Sequence, residues 1–517
     1  MRGIHRESKQ EAYDVAIVGA GIGGLSTAAL LAKAGKSVLV VERHDRPGGY
    51  AHGFKRRGFQ FDSGVHLVSG CGAEGYRNGS TIHRIGRAAG LDTEALFLPV
   101  PDYARAVYPE FEVPLRAGEA AFVDGLAERF PREKDRLLEL MRLCRALAEE
   151  AMLAEEVLAQ GRGSRVSPAQ ALPNLLRYRR ASLAEALDEF LADPRLKSVC
   201  ASLWPYLGLP PGRLSFLYWA SMMAGYTYEG GYYCRGSFQN YANQLAAAVE
   251  KQGGEVLLNS SVRRIRVEQG RACGIVLENG QVIRAGAVVS NADARQTAEL
   301  LVGREHLPDG HWQGLEQLTP SLSVFVTYIA SDYPFAERGH AHESFFYDSF
   351  DHEQGYALTQ AGRPNWFSAT LPCLADPSLA PAGQHVLLLT TLCPFDVGQS
   401  WRQAKAGFER QLLEKAESRF PGLNGRLLLV ESGSPRTLER YTLNRQGAAY
   451  GYAPTPEQIG PNRPGVRGAL PGLYHTGHWT RPGGGIAGVS ISAQLAAQAV
   501  LDIPRQEDFW RSLGVEA

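Results

Sequence analysis

The sequence predicts an α/β fold with a nucleotide-binding domain that is assembled from three separate segments. Near the N-terminus a strand, a glycine-rich turn, a helix and a second strand follow one another. A helix and several strands alternate in residues 233–300, and a strand, a glycine-rich loop and a helix follow in residues 432–505. We expect an α+β domain and a helical subdomain to be inserted between these segments.

The first segment contains a compact βαβ unit. Residues 14–18 and 38–41 are short apolar runs that predict buried strands, and residues 25–34, rich in Ala and Leu, predict the helix between them. Gly35 follows as a helix stop, and Glu42 ends the second strand. This order of elements is typical of a unit that binds a dinucleotide.

The turn of this unit has glycines in the spacing G-x-G-x-x-G. Gly19 permits the tight turn, Gly21 lets the backbone approach a pyrophosphate, and Gly24 lets the helix pack onto the strand. Helix N–H groups then face the phosphates, and Glu42 can accept hydrogen bonds from an adenosine ribose. A glycine-rich turn without a ligand is the alternative, but the strand, the helix and the acid all favour binding.

The βαβ unit alone does not distinguish FAD from NAD, but the residues that follow it help. Residues 42–49 read E-R-H-D-R-P-G-G, and residues 61–66 read F-D-S-G-V-H. Here the chain resembles the FAD-binding superfamily of amine oxidases and phytoene desaturases, which implies FAD as the cofactor, close to Arg43, Gly48 and Gly49. Residues 61–66 are similar to the F-D-x-G-x-H motif of the carotenoid isomerase and retinol saturase branch.

The same resemblance covers two later segments. It implies that Val262 lies beside the adenine and that residues 477–489 form the C-terminal flavin motif. His478 stands where many related flavoproteins have an acid, so we expect backbone N–H groups to hold the phosphates. The candidate cofactor-binding residues are Gly19, Gly21, Gly23, Gly24, Glu42, Arg43, Gly48, Gly49, Val262, Gly477, His478, Gly485, Gly488 and Val489.

The resemblance and the pattern of elements together divide the chain into five stretches. A discontinuous Rossmann-like FAD-binding domain occupies three of them, and a helical subdomain and an α+β substrate domain occupy the others. In chain order they are 12–100 (FAD-binding), 101–232 (helical, facing substrate or membrane), 233–300 (FAD-binding), 301–431 (α+β substrate domain) and 432–505 (FAD-binding). Residues 102–114 predict a hairpin at the start of the helical stretch.

Composition excludes several classes of protein. Lys plus Arg and Asp plus Glu both number 54, a formal net charge of +0, which argues against a nucleic-acid partner. The 7 cysteines are scattered, which indicates reduced thiols rather than a disulfide framework. His340 and His342 form an H-x-H pair without a third ligand nearby, so we expect no metal site.

Three residues are candidates for the chemistry. His66 and His478 lie in segments that the resemblance places near the isoalloxazine, where an imidazole can exchange a proton near neutral pH. Alternatively, each ring only hydrogen-bonds its loop or the cofactor. Tyr450 is the third candidate, more as a wall of the substrate pocket, and Asp62 is expected to fix a turn.

The substrate is expected to be apolar. Residues 214–228 have no charge and include Trp219, Met222 and Met223, which indicates either a buried helix or a lipophilic channel that touches a membrane surface. No run reaches the roughly 18 apolar residues that span a bilayer. The polar N-terminus lacks the apolar centre of a signal peptide. We therefore expect a cytoplasmic protein with peripheral membrane contact.

The resemblance thus implies an FAD-dependent oxidoreductase that desaturates, saturates or isomerises carbon–carbon double bonds of a lipophilic polyene, such as a carotenoid or related isoprenoid. Two alternatives stay open. One is a flavin amine oxidase, which would need an acidic pocket, and the other is a non-catalytic prenyl-binding carrier of the same fold. The oligomeric state does not follow from the sequence.

Overall fold

The computed structural model describes residues 7–73, 80–160 and 167–515, so the first six residues of the polar N-terminus lie outside it. The strands of these ranges are β1 (Ala12–Val18), β2 (Val38–Val41), β3 (Gly53–Arg56), β4 (Phe59–Asp62), β5 (Val68–Ser69), β6 (Phe97–Val100), β7 (Asp102–Val107), β8 (Glu112–Arg116), β9 (Gly231–Cys234), β10 (Glu255–Leu257), β11 (Val262–Glu268), β12 (Arg271–Leu277), β13 (Val282–Ser290), β14 (Ser323–Ser331), β15 (Glu343–Tyr347), β16 (Trp366–Thr370), β17 (His385–Cys393), β18 (Leu427–Gly433) and β19 (Leu473–His475).

The helices of the same ranges are α1 (Ile22–Lys33), α2 (Thr81–Ala89), α3 (Thr93–Leu96), α4 (Glu119–Ala127), α5 (Lys134–Gln160), α6 (Pro168–Ala171), α7 (Pro173–Tyr178), α8 (Leu183–Phe190), α9 (Pro194–Ala201), α10 (Phe216–Glu229), α11 (Phe238–Lys251), α12 (Ala294–Gln296), α13 (His311–Glu316), α14 (His352–Gln360), α15 (Trp401–Arg419), α16 (Pro435–Thr442), α17 (Gly485–Leu501) and α18 (Gln506–Ser512).

The first large sheet has the strand order β10-β2-β1-β13-β12-β11, and β19 also pairs with β13. Strands β10, β2, β1, β13 and β19 run parallel, while β11 and β12 add an antiparallel hairpin. Its strands come from all three predicted nucleotide-binding segments. The predicted α/β fold with a discontinuous Rossmann-like domain is therefore confirmed.

Helix α1 begins at the glycine turn because the glycines allow it to lie directly on the sheet. A Cβ atom at Gly24 would stand 2.2 Å from the carbonyl oxygen of Gly19. The helix is buried along nearly its whole length and packs against α17 and α11. It ends where Gly35, at a φ of +82°, donates its N–H to the carbonyl of Ala32, as the sequence predicts.

The second large sheet has the order β18-β14-β17-β16-β15-β7-β8. Every residue of β14 is buried, which explains why this strand reads as a continuous apolar run. One face packs Phe325 and Ile329 against Trp401 and Phe408 of α15. The opposite face is turned towards the first sheet and the helices of residues 119–229.

The predicted hairpin at residues 102–114 is confirmed as β7 and β8, and it does not stand apart as a hairpin of a helical subdomain. Strand β7 pairs in parallel with β15, so the hairpin extends the second sheet. Strand pairing over such a sequence distance has no local signal. The five-stretch division of the chain stays a proposal.

Among the described residues, no single helix combines the length and the apolar composition needed to cross a membrane. One pair of helices, α17 and α18, passes that test together, but the two are bent by 81° at the break between them.

We expect Gly24→Ala to lower the free energy of unfolding by about 1–3 kcal/mol, the usual cost of overpacking a tight core. The added methyl group would collide with the Gly19 carbonyl and push α1 off the sheet. Thermal or urea unfolding measures the effect.

Gly407→Ala is the matched control, because Gly407 also lies within a helix but has no heavy atom within 4 Å of its Cβ position. That variant should be as stable as the wild type or slightly more so. Equal stabilities for the two variants would contradict the packing role of Gly24.

Candidate functional site

A cavity of about 750 Å³ is lined by residues of both large sheets. One part follows the glycine turn after β1 and the loop before α17. The other part lies against the inner face of the second sheet and helix α10. His66 lines the same cavity and lies on the segment after β4.

All but one of the predicted cofactor-binding residues line this cavity. The exception is Gly24, whose Cβ position faces the Gly19 carbonyl and which therefore acts in packing. The lining residues of the predicted set are Gly19, Gly21, Gly23, Glu42, Arg43, Gly48, Gly49, Val262, Gly477, His478, Gly485, Gly488 and Val489.

The turn and the C-terminal loop meet around Asn291, a residue that the sequence analysis missed. Cβ atoms at Gly21, Gly23 and Gly477 would lie 2.7, 2.8 and 2.3 Å from its side-chain atoms. Asn291 directly follows β13 and donates its backbone N–H to the carbonyl of Val18. The C-terminal ends of two neighbouring parallel strands thus meet at the edge where such sheets bind nucleotides.

Glu42 is held in place before any ligand binds. Its two carboxylate oxygens accept hydrogen bonds from the N–H groups of Ala20 and His44, both at 2.8 Å. Each oxygen keeps a further lone pair for a ribose hydroxyl. Together with the glycine-lined wall and the N-terminal turns of α1 and α17, this arrangement fits an adenine dinucleotide.

His478 lies in the C-terminal loop next to a buried cation. Burial, and then the charge of Arg463, lower the pKa of His478 to about 3. Arg463 donates to the carbonyl oxygens of Tyr450, Tyr452 and His478 at 2.8–3.2 Å. His478 is therefore neutral at neutral pH, which suits hydrogen bonding to a cofactor better than donation of a proton.

His66 is paired with a buried acid that the sequence analysis also missed. Its Nδ1 lies 3.0 Å from Oε2 of Glu343, which is fully buried at the start of β15. The hydroxyl of Thr370 donates to the same carboxylate oxygen at 2.7 Å. Burial lowers the pKa of His66, but the charge of Glu343, its hydrogen bond and the charge of Asp62 together outweigh burial, so the pKa is raised.

Two tyrosines frame this pair. The ring of Tyr206 lies 6.2 Å from the ring of His66, and burial, followed by the charge of Glu343, raises its pKa. Tyr450, the third predicted candidate, lines the cavity and donates its hydroxyl to the carbonyl of Pro205 at 3.0 Å. Burial also raises the pKa of Tyr450, so both groups remain phenols at neutral pH.

The part of the cavity at the second sheet is predominantly apolar. Helix α10 contributes Leu217 and Met222, while Trp219 and Met223 on its other side are buried in the core. Helix α10 is therefore both a buried helix and a wall of the cavity, the two roles that the sequence left open. The apolar residues of the second sheet that line this part of the cavity are Val324, Val326, Phe345, Trp366, Leu388 and Leu392.

The remaining candidates have structural roles. Asp62 accepts hydrogen bonds from the hydroxyl of Tyr233 at 2.5 Å and the N–H of Phe238 at 2.9 Å, at the first turn of α11. Burial raises the pKa of Asp62 to about 6. His342 contacts the carbonyl of His66 through Nε2 at 3.0 Å. The described residues contain no group of three potential metal ligands.

The chain is similar to known proteins along most of its length. The chain is 29% identical to the human all-trans-retinol 13,14-reductase, over 95% of this chain and 86% of that protein. It is 28% identical to the chloroplastic prolycopene isomerase of Daucus carota, over 94% and 80%. An oxidoreductase from Methanosarcina mazei shares the fold, with a TM-score of 0.62 at 20% identity over 94% of this chain and 99% of that one.

Residues 22–501 match the family model described as flavin containing amine oxidoreductase. This match begins within the glycine turn and covers Glu42 and the C-terminal loop. Because the family contains flavin and the site fits an adenine dinucleotide, the cofactor is FAD. The protein is an FAD-dependent oxidoreductase, and it belongs to the family of flavin-containing amine oxidoreductases.

Proposed function

We propose that this enzyme acts on a carbon–carbon double bond of a lipophilic polyene, such as a carotenoid or related isoprenoid. The observation that carries the proposal is the apolar part of the cavity, which opens directly onto the part lined by the predicted cofactor-binding residues. The retinol reductase and the prolycopene isomerase, both named for polyene substrates, support it. An apolar chain would fill this space and exclude water from the reacting atoms.

The bound flavin supplies hydride transfer, and the chain supplies orientation, an apolar environment and a proton. We propose that Gly19, Gly21 and Gly477 let the backbone approach the pyrophosphate, that Glu42 holds the ribose, and that Val262 lies beside the adenine. His478, neutral in this environment, then hydrogen-bonds the cofactor instead of acting as an acid.

His66 is the proposed proton donor. Its Nδ1 is engaged by Glu343, and within the described residues its Nε2 makes no hydrogen bond. The charge of Glu343 raises the pKa of His66 and favours the imidazolium, whose Nε2 can give a proton to a carbon of the alkene. A saturase adds a hydride and a proton across the double bond, and an isomerase needs a proton held near it, so either direction fits this pair better than desaturation does.

The alternatives fit the cavity less well. An amine oxidase would bind a cationic substrate, yet the inner face of the second sheet is mainly apolar and Glu343 is already paired with His66. A carrier without catalytic activity would not need the pocket that the glycine turn, Glu42 and the C-terminal loop form together.

We expect Gly21→Val to abolish retention of FAD. A side chain there would enter the cavity wall and collide with Asn291, whose Nδ2 lies 2.7 Å from the Cβ position. The ratio of flavin to protein absorbance after gel filtration measures the loss. Gly425→Val, at a surface glycine with open space around its Cβ position, should retain FAD. A normal flavin content in Gly21→Val would show that the turn does not hold the pyrophosphate.

We expect His66→Gln to keep FAD and to lower turnover by about 10²-fold or more, the size typical of losing a general acid. Glutamine can still donate a hydrogen bond to Glu343, which would otherwise remain as a buried unpaired charge. Product formation from a panel of polyenes under anaerobic conditions with pre-reduced enzyme provides the measurement.

The variant Glu343→Gln tests the role of the pair through the pH dependence of turnover. Without the carboxylate, burial lowers the pKa of His66, so its proton is lost at lower pH and the alkaline limb of the turnover profile moves down. Glu431→Gln is the control, since Glu431 belongs to the same sheet but makes an exposed ion pair with Arg56. An unchanged profile in Glu343→Gln would assign the proton to another group.

We also propose peripheral contact of a cytoplasmic protein with a membrane, since a lipophilic substrate partitions into bilayers. The protein should float with neutral phosphatidylcholine liposomes in a density gradient and stay at the bottom without them. Because the formal net charge is +0, flotation should depend little on salt. Recovery of all protein in the lipid-free fractions would contradict membrane contact.

A further inference from the structure

Two exposed residues at the end of helix α16 line the cavity. Tyr441 lies in the last turn of this helix, Leu443 directly follows it, and the two residues are 37% and 44% exposed. Neither residue belongs to the apolar clusters that form the core of the described chain. Both therefore keep surface available for a molecule that binds in the cavity.

Leu443 also has a backbone conformation that disfavours a leucine. Its φ of +58° lies in the left-handed region, which glycine and asparagine adopt more readily at the end of a helix. The other non-glycine residues with a positive φ in the described ranges are all polar: Arg57, Ser237, Asn259, Gln269, Gln446 and Asp502. A glycine would relieve this conformation and remove an exposed apolar side chain, so the stability of the chain alone does not explain the leucine.

The end of α16 contacts two of the segments that form the predicted cofactor site. The ring of Tyr441 lies 5.5 Å from the ring of His44, which donates its backbone N–H to Glu42 at 2.8 Å. The side-chain amide of Gln296 donates to the carbonyl oxygen of Leu443. Gln296 belongs to the segment that follows β13, and it also lines the cavity. Tyr441 and Leu443 thus lie beside the acid that is expected to hold the ribose.

We propose that Leu443 and Tyr441 contact the adenosine half of the bound FAD and shield it from water. Leu443 supplies an apolar surface and Tyr441 an aromatic ring, and binding of the cofactor buries both. The gain from this contact offsets the unfavourable backbone conformation of Leu443. The inference concerns the cofactor alone, so it does not depend on the proposed polyene substrate.

The affinity of the enzyme for FAD tests this contact. FAD is removed and added back, and the quenching of its fluorescence gives the dissociation constant. Leu443→Gly should weaken FAD binding by about 10-fold, since most of a leucine contact is lost. Leu443→Met keeps a flexible apolar side chain of similar volume and should bind FAD within about 2-fold of the wild type.

Asp502→Gly is the matched control. Asp502 also directly follows a helix, α17, and has a φ of +57°, but it does not line the cavity. Its carboxylate lies 3.6 Å from the guanidinium of Arg467 at the surface. The substitution relieves the same backbone conformation as Leu443→Gly, and it should leave the affinity for FAD unchanged.

The melting temperature without FAD separates a contact with the cofactor from a role in the fold. Both glycine variants should melt at the temperature of the wild type or higher, because glycine adopts a positive φ without strain. A lower melting temperature for Leu443→Gly alone would assign the side chain to the fold and overturn the proposed contact.

ADP identifies the half of the cofactor that is contacted, because it contains the adenosine and the pyrophosphate but no flavin. Competition with FAD gives its affinity. Leu443→Gly should weaken ADP binding by the same factor as FAD binding, and Tyr441→Ala should weaken both in the same direction. Weaker binding of FAD with unchanged binding of ADP would overturn the assignment to the adenosine half. Unchanged affinity for both ligands would overturn the contact altogether.

Discussion

The fold depends on the close approach of three backbone segments around the side chain of Asn291. The glycine turn after β1, the end of β13 and the loop before α17 come from distant parts of the chain. They meet at distances that exclude a Cβ atom at Gly21, Gly23 and Gly477. These glycines are therefore fixed by contact, and the assembly of the discontinuous domain depends on positions that also line the cavity.

The pair of His66 and Glu343 is the second constraint on the structure. Either side chain without the other lowers the stability of the folded protein. Removing one member of a buried ion pair typically costs about 3–5 kcal/mol, since the other charge stays in an apolar environment. The same burial strengthens the attraction between the two side chains, because charges interact more strongly where water is excluded. Thr370 adds a hydrogen bond to the carboxylate and fixes its orientation.

Local patterns in the sequence predict the parts of the protein that are encoded locally. The βαβ unit, Glu42, the hairpin at residues 102–114 and the glycine loop before α17 each lie within a short stretch, and the structure has each of these elements where the sequence places it. His66 is a candidate because its segment resembles a family motif, and its catalytic role remains a proposal.

Glu343 and Asn291 could not be found in this way, because their roles depend on partners that are distant in the sequence. A single Glu before an apolar strand predicts an exposed end of that strand, yet Glu343 is fully buried. Likewise, the sequence of β7 and β8 predicts a hairpin but does not indicate that it joins the second sheet.

The inner face of the second sheet connects these features, because side chains two residues apart on one strand share that face. Glu343 and Thr370 form one cross-strand pair, and Ser368 and Phe345 form the next pair along the same two strands. Polarity therefore decreases along the sheet from an ion pair, through isolated hydroxyls, to aliphatic side chains. A polyene lying along this face would have its apolar length against the aliphatic residues and its reacting carbons near the ion pair. The regular spacing of a β-sheet, rather than a flexible loop, would then set the distance between the bound polyene and His66.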